Sequence, residues 1–225
     1  MFDDDWDDED EFASSIEELL TEYAALKAGE GNRFWNEQEF ELLIDYFYQN
    51  SQEPEALIAC ELALNSHPFS SEFYILKAEL LFQSLKYRQA IAVLDELDTK
   101  EQLIIDAVLL RSEILNAQFK YDQAAAYLEG MSKLFTGREQ IDILLELAEV
   151  YDECEELDAV FDTLKIILKI DPNCEEALHK ICYWADFAEK EEESVVLHQE
   201  IIDKYPYNAL AWFNLGSAYQ GLKLY

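Results

Sequence analysis

Residues 141–174 read IDILLELAEVYDECEELDAVFDTLKIILKIDPNC, and this stretch decides the fold. Each half carries apolar side chains three or four positions apart: Leu144, Leu147, Ala148 and Tyr151 in the first, then Val160, Phe161, Leu164, Ile167 and Leu168 in the second. This spacing predicts two amphipathic helices. Pro172 has no backbone N–H and ends the second helix. Because one helix pair of this size cannot bury its apolar faces alone, we expect neighbours of the same kind.

The pattern returns every 34 residues along the chain. Residues 75–97 align without gaps to residues 109–131, and identical pairs include Lys86 with Lys120, Tyr87 with Tyr121, and Ala90 with Ala124. Near the end of the chain, Trp212, Leu215, Gly216 and Tyr219 have the spacing W-x2-L-G-x2-Y. A fixed period of this length is typical of stacked helical repeats.

These spacings resemble those of the tetratricopeptide repeat (TPR) family, whose unit is a 34-residue helix–turn–helix. The resemblance implies an all-α solenoid, a right-handed superhelix of antiparallel helix pairs. We place the repeats at 37–70, 71–104, 105–140, 141–174 and 175–208, with a half repeat at 209–225. The turns within the pairs are expected near 50–53, 84–87, 118–121, 152–156 and 188–192. Residues 1–36 form a separate segment, an acidic arm followed by a capping helix.

The arm has a biased composition. Residues 1–11 (MFDDDWDDEDE) hold eight acidic and no basic side chains. Such a block is usually solvated and disordered. The alternative is a tethered arm that docks on a groove through Phe2, Trp6 and Phe12. A helix from about Ile16 to Leu26 should follow and cover the first repeat, since terminal repeats need a cap.

Several helix starts carry the sequence of a capping box, in which a short polar side chain is followed three residues later by Glu or Gln. The pairs are Ser14/Glu17, Asn36/Glu39, Thr99/Gln102, Thr136/Glu139 and Asn173/Glu176. Each pair predicts that a helix begins directly after its first residue.

Composition limits the classes of partner. The chain has 16 basic and 49 acidic residues, for a net charge of -33. Nucleic-acid binding is excluded, because attraction to phosphates needs a positive face. A basic protein partner is favoured instead. No apolar run reaches 18 residues, so we expect no membrane span.

The four cysteines contain no C-x-x-C pair, which indicates reduced thiols and a cytoplasmic protein. Cys60 and Cys182 fall on positions expected to face the core. The chain has no nucleotide-binding loop, no H-E-x-x-H and no nucleophile elbow. His198 is expected to have a packing role. We therefore predict no enzyme activity, no cofactor and no metal.

In the TPR family the first helix of each pair lines a concave groove, and the resemblance implies the same here. The candidate partner-binding residues at these positions are Asp45, Glu72, Glu79, Asp106, Glu113, Asp142 and Glu149, followed by the aromatic Tyr183, Phe187 and Phe213. One interpretation is an acidic, solvated helix face. The other is a groove for a Lys/Arg-rich peptide, with the aromatic rings gripping its apolar or cationic side chains.

The leading functional hypothesis is a non-catalytic protein–protein interaction scaffold that binds a protein or basic peptide. The alternative is a self-assembling structural subunit, a homo-oligomer that uses the acidic arm or the C-terminal half repeat. The sequence stops at Tyr225, after the first helix of a repeat, so we expect either a longer array that continues or a natural terminal cap formed by this helix. Without further repeats, Trp212, Leu215 and Tyr219 should be poorly covered, and an exposed apolar face invites self-association.

Overall fold

A computed structural model describes residues 5–30, 33–99 and 103–224, with side chains from residue 16 onward. The described residues form helices and connecting turns, without a β-strand among them. The chain divides into two compact units, residues 1–102 and 103–225. The predicted all-α, TPR-type fold is confirmed.

The first unit contains five described helices. They are α1 (Asp5–Lys27), α2 (Glu37–Gln49), α3 (Glu53–Ser66), α4 (Ser71–Gln83) and α5 (Tyr87–Asp98). Its core surrounds the fully buried rings of Phe40 and Phe73, whose centroids lie 6.0 Å apart. Ile16 and Tyr23 of α1 are buried in the same cluster. A helix therefore covers the first helix pair, as the sequence predicted.

The start of α1 corrects one prediction. The helix begins at Asp5 rather than near Ile16, and Ser14 lies inside it rather than at its cap. The proposed anchor Phe2 and the side chains of Trp6 and Phe12 lie outside the described part of the chain.

The second unit contains seven described helices. They are α6 (Ile105–Asn116), α7 (Tyr121–Met131), α8 (Gly137–Glu153), α9 (Leu157–Ile170), α10 (Glu175–Phe187), α11 (Glu191–Lys204) and α12 (Ala209–Gly221). Its core centres on residues 141–174. Phe161, Leu164 and Ile167 are completely buried, and Leu144, Leu147, Ala148, Val160 and Leu168 are buried with them. Tyr151 is half-buried.

The turn inside each helix pair, and the turn that follows α12, contains one non-glycine residue in the left-handed conformation. These residues are Ser51, Leu85, Phe119, Glu155, Glu189 and Lys223, with φ between 54° and 58°. Successive members are 34 residues apart, except for 36 between Phe119 and Glu155. The turns lie where the sequence placed them, and one interval is longer by two residues, as expected. The exact repeat boundaries and the division at residue 36 stay predictions.

Candidate partner-binding surface

The first helices of the pairs carry the predicted acidic positions. In the first unit, Asp45 of α2 and Glu79 of α4 line a common groove of about 140 Å³. Tyr48 and the apolar side chains of Leu76 and Leu80 line it as well. The groove therefore combines carboxylates at two equivalent repeat positions with an aromatic ring and an apolar floor.

The pKa of a second carboxyl group on α2 reflects the negative charge of this surface. Burial raises the pKa of Glu41, and the neighbouring carboxylates of Glu72 and Asp45 raise it further. The helices α2 and α4, which line the groove, therefore share a negative potential. This potential disfavours the charged form of each carboxyl group on their surface. Glu72, also among the predicted residues, lies exposed in the first turn of α4.

In the second unit, the predicted residues Glu113 of α6 and Glu149 of α8 are exposed. Between them lies Glu146, a half-buried residue that the repeat positions did not indicate. Its carboxylate accepts hydrogen bonds from Ser112 Oγ at 3.0 Å and Asn116 Nδ2 at 3.3 Å. Burial raises its pKa, the Ser112 hydrogen bond lowers it, and the charges of Glu113 and Glu149 raise it again.

Internal cations neutralise part of the second unit's acidic surface. Lys180 of α10 forms ion pairs with Glu149 of α8 and, at 3.2 Å, with Glu176. Arg138 Nε lies 2.9 Å from the predicted residue Asp142. Burial disfavours the charged form of Lys180, but the hydrogen bonds to its two glutamates hold its pKa above the usual value. Asp106 is exposed at the start of α6.

The predicted aromatic residues Tyr183 and Phe187 form an exposed cluster on α10. Their ring centroids are 4.4 Å apart, and Trp184 lies 5.2 Å from Tyr183 and 6.0 Å from Phe187. Phe213 is exposed on the neighbouring helix α12. Trp184 was not predicted, since it does not occupy one of the inner-face positions.

A pocket of about 360 Å³ opens beside this cluster, between α10, α11 and α12. Its walls include Tyr183, Asp186, Glu191, Gln220 and Gly221. Cys182 also lines it and is half-buried, which corrects the expectation that this thiol faces the core; Cys60 is fully buried as predicted.

A buried polar network lies under the pocket. His198 is 0% exposed, and its Nδ1 donates to the Ser194 carbonyl at 2.7 Å. Its Nε2 accepts from Asn214 Nδ2 at 3.2 Å, and Asn214 also donates to the Leu178 carbonyl at 2.7 Å. Burial lowers the pKa of His198, although the backbone hydrogen bond opposes this. The predicted packing role is confirmed.

The described residues contain no group of His, Cys, Asp and Glu side chains arranged to hold a metal ion. No helix among them combines the length and apolar character needed to cross a bilayer.

Comparison with known proteins supports the repeat assignment. A family model described as "Anaphase-promoting complex, cyclosome, subunit 3" matches residues 49–131, which is less than half of the chain. A search of curated protein sequences finds no match.

Solved structures match over most of the chain. A tetratricopeptide repeat protein of Parabacteroides merdae ATCC 43184 is 12% identical and has a TM-score of 0.54, with 83% of this chain and 73% of that chain covered. MamA of Desulfovibrio magneticus RS-1, from residue 41 to its end, is 13% identical, with a TM-score of 0.51 and coverages of 76% and 96%. At these identities the likeness shows the fold alone. Together with the 34-residue period and the matching turns, it shows that the chain has the tetratricopeptide repeat fold.

Proposed function

We propose that this chain is a non-catalytic scaffold that binds a Lys/Arg-rich segment of a partner protein on its acidic inner face. The fold supports the general part, because tetratricopeptide repeat proteins are generally interaction scaffolds rather than enzymes. Stacked repeats present extended surfaces to their partners. The chemistry of the surface, rather than the fold, has to identify the partner.

The groove between α2 and α4 is the observation that supports a basic partner. Asp45 and Glu79 line it beside the exposed ring of Tyr48. A Lys or Arg side chain entering there would meet carboxylates and an aromatic face together, and its aliphatic stem would cover Leu76 and Leu80. The raised pKa of the adjacent Glu41 supports the same assignment, because a bound cation would relieve the crowding of negative charge.

The second unit supports a weaker contribution from its own acidic positions. Lys180 already occupies the space beside Glu149, so a partner cation would have to compete with it. The acidic residues of α2 and α4 should therefore contribute more to binding than those of α8.

The experiment is a titration of a fluorescent Lys/Arg-rich peptide against the full chain at low and at physiological salt. Asp45→Asn/Glu72→Gln removes two charges from the α2–α4 surface. Glu156→Gln/Asp162→Asn removes two exposed charges around the second helix of another pair and serves as the matched control. Each exposed charge contact contributes about 0.2–1 kcal/mol, so the first variant should weaken binding by about two- to thirtyfold at low salt.

The control variant should bind almost as wild type does. Equal weakening by the two double variants would show that only the net charge matters, and the groove assignment would be wrong. If the peptide fails to bind wild type at low salt, the acidic inner face is not a site for basic segments.

One observation favours a second function, self-association through α12. Trp212 is 52% exposed and Phe213 is 67% exposed, although Leu215, also expected to be uncovered, is buried. Light scattering of the full chain, of Phe213→Ser and of a chain without residues 1–12 would test it. A dimer that Phe213→Ser dissociates supports the C-terminal contact, and one that only the truncation dissociates supports the arm. A monomer at all concentrations contradicts both.

We further propose a cytoplasmic location. The four cysteines are all free thiols, which suits a reducing compartment.

A further inference from the structure

We propose that the pocket between α10, α11 and α12 binds an arginine side chain of the partner. This inference rests on the proposed function, because it takes the partner to be a basic segment and names the residue that anchors it. The pocket, defined by Tyr183, Asp186, Glu191, Gln220 and Gly221, is called the α10–α12 pocket below. Its volume of about 360 Å³ lies in the range of sites that hold small ligands and side chains.

Two carboxylates give the α10–α12 pocket its charge preference. Asp186 lies in the last turn of α10 and Glu191 is the first residue of α11, and both line the pocket. Neither forms an ion pair with any residue in the described part of the chain. They differ in this from Glu149, which Lys180 neutralises. The lining is therefore complementary to a cation.

The ring of Tyr183 supplies an aromatic wall with a restricted orientation. Phe187 lies 4.4 Å from it in a tilted arrangement, and Trp184 meets it nearly at a right angle at 5.2 Å. A cation over such a face gains an attraction that salt screens less than a surface ion pair. The wall and the carboxylates together are the elements of a site for a flat cation.

Arginine fits this lining better than lysine. Its guanidinium is planar and carries five N–H donors, so it can stack on an aromatic ring while it donates to several acceptors around its edge. The pocket offers the carboxylates of Asp186 and Glu191, the amide oxygen of Gln220 and the hydroxyl of Ser217. A lysine ammonium has three donors at one point and cannot engage the ring and the spread acceptors in the same way.

Small residues keep the α10–α12 pocket open. A Cβ atom added at Gly221 would lie 3.0 Å from Glu191 Cγ and 3.4 Å from its Oε1. A side chain at 221 would therefore crowd the Glu191 side chain, which would have to shift by a few tenths of an ångström. Beneath, the His198–Asn214 network has both imidazole nitrogens and both Asn214 N–H groups in use, so the floor is preorganised rather than free to adapt.

The test uses two fluorescent peptides of equal length and charge on the full chain at physiological salt. One carries lysine as its only cationic residue type, and the other replaces a central lysine by arginine. Wild type should bind the arginine peptide at least about fivefold more tightly, which is the size of a partly desolvated cation–π contact. Asp186→Asn and Tyr183→Leu should each reduce this preference to below about twofold.

Two glycine variants distinguish an effect on the pocket from a general effect of substitution in α12. Gly221→Ala should reduce the preference, since it shifts the Glu191 side chain. Gly216→Ala lies on the same helix with nothing within 4 Å of the added Cβ, and it should keep the wild-type preference. Both changes raise helix propensity, so neither should unfold α12.

The outcomes separate this proposal from the one it rests on. If wild type binds both peptides equally while Asp45→Asn/Glu72→Gln weakens both, the basic-segment scaffold stands and the arginine pocket is overturned. An arginine preference that survives Asp186→Asn, Tyr183→Leu and Gly221→Ala also overturns the pocket. If neither peptide binds at physiological salt or at low salt, both proposals are wrong.

Discussion

At the scale of single residues, Glu146 shows how the second unit tolerates a half-buried carboxylate. Ser112 Oγ and Asn116 Nδ2 donate to it, but Asn116 Oδ1 is buried without a hydrogen-bond partner. Burial is the largest cause of the raised pKa of Glu146, so the site favours the neutral form of the carboxyl group.

Glu146→Gln should raise the stability of the chain at pH 7. The folded pKa of Glu146 is raised above the unfolded value of 4.5, so its stabilising contribution is complete below pH 4.5 and is lost as pH rises through the folded pKa. The amide stays neutral and avoids this loss. Urea unfolding at pH 7 should show a higher midpoint than wild type, and the difference should shrink near pH 4. A lower midpoint than that of the exposed control Glu156→Gln at pH 7 would contradict this account.

His198 should contribute a pH dependence of the opposite sign. Its folded pKa is lowered below the unfolded value of 6.5, so the stability it confers is present above pH 6.5 and is lost as pH falls through the folded pKa. Protonation would place a donor on Nε2 against the Asn214 amide. The fall in unfolding free energy from pH 7 to pH 5 should be smaller in His198→Gln than in the exposed control His179→Gln. Equal falls in the two variants would show that His198 does not titrate with unfolding.

The sequence predicted a set of inner-face residues but not what each of them contacts. The repeat places Glu113 and Glu149 on the first helices of their pairs, where both are exposed. It could not show that Lys180, 31 residues after Glu149, reaches back to it, since that depends on side-chain conformation and helix spacing. Glu146 was missed for the same reason.

At the scale of helices and turns, the helix starts show where the local sequence determines the start of a helix and where it does not. The capping box at Asn36 and Glu39 was predicted correctly, and each of its two hydrogen bonds is 2.9 Å long. Thr99 instead ends α5, with its hydroxyl donating to the Glu96 carbonyl. The N-cap predicted at Asn173 is one residue too early. The Asn173 N–H donates to Asp171 Oδ1, and the N-cap residue of α10 is Cys174. Short polar residues form several competing local hydrogen bonds, so the sequence pattern alone does not decide among them.

Leu85→Gly should stabilise the first unit. Leu85 has φ of 58° and is 71% exposed, so the substitution relieves a left-handed conformation while it removes little packing. The conformation costs a residue with a Cβ about 1–2 kcal/mol, and the added backbone entropy of glycine offsets part of the gain. A net gain of about 0.5–1 kcal/mol in urea unfolding is expected. Lys86→Gly, at a residue with φ of -87°, should instead destabilise, and a loss from both would contradict the strain argument.

Ala124→Leu should destabilise the second unit. Ala124 is completely buried on α7, in the cluster that joins this helix to α8. The larger side chain would force the helices apart or adopt a strained rotamer, at a cost of about 1–3 kcal/mol. Ala126→Leu, exposed on the same helix, is the matched control and should leave the urea midpoint almost unchanged. A urea midpoint for Ala124→Leu equal to that of the control would show that Ala124 is not packed in the core.

At the scale of the whole molecule, the excess of negative charge cannot be balanced by internal ion pairs. The 49 acidic residues exceed the 16 basic ones by 33, so most carboxylates face like charges rather than partners. The ion pairs that the structure contains are largely exposed, and such pairs contribute about 0–1 kcal/mol each. The compact state therefore carries a repulsion that the unfolded chain spreads over a larger volume.

Added salt should consequently stabilise this protein. The Debye length falls from about 30 Å at 0.01 M to about 8 Å at 0.15 M, so the repulsion between distant carboxylates is screened more than the contact ion pairs are. The urea midpoint should rise over that range in NaCl, with an unchanged slope, because the surface exposed on unfolding is the same. A second series in NaF at equal ionic strength separates screening from specific anion effects, and the two curves should coincide. A midpoint that falls as NaCl is added would mean that internal pairs such as Lys180 with Glu149 outweigh the repulsion among all the unpaired acids.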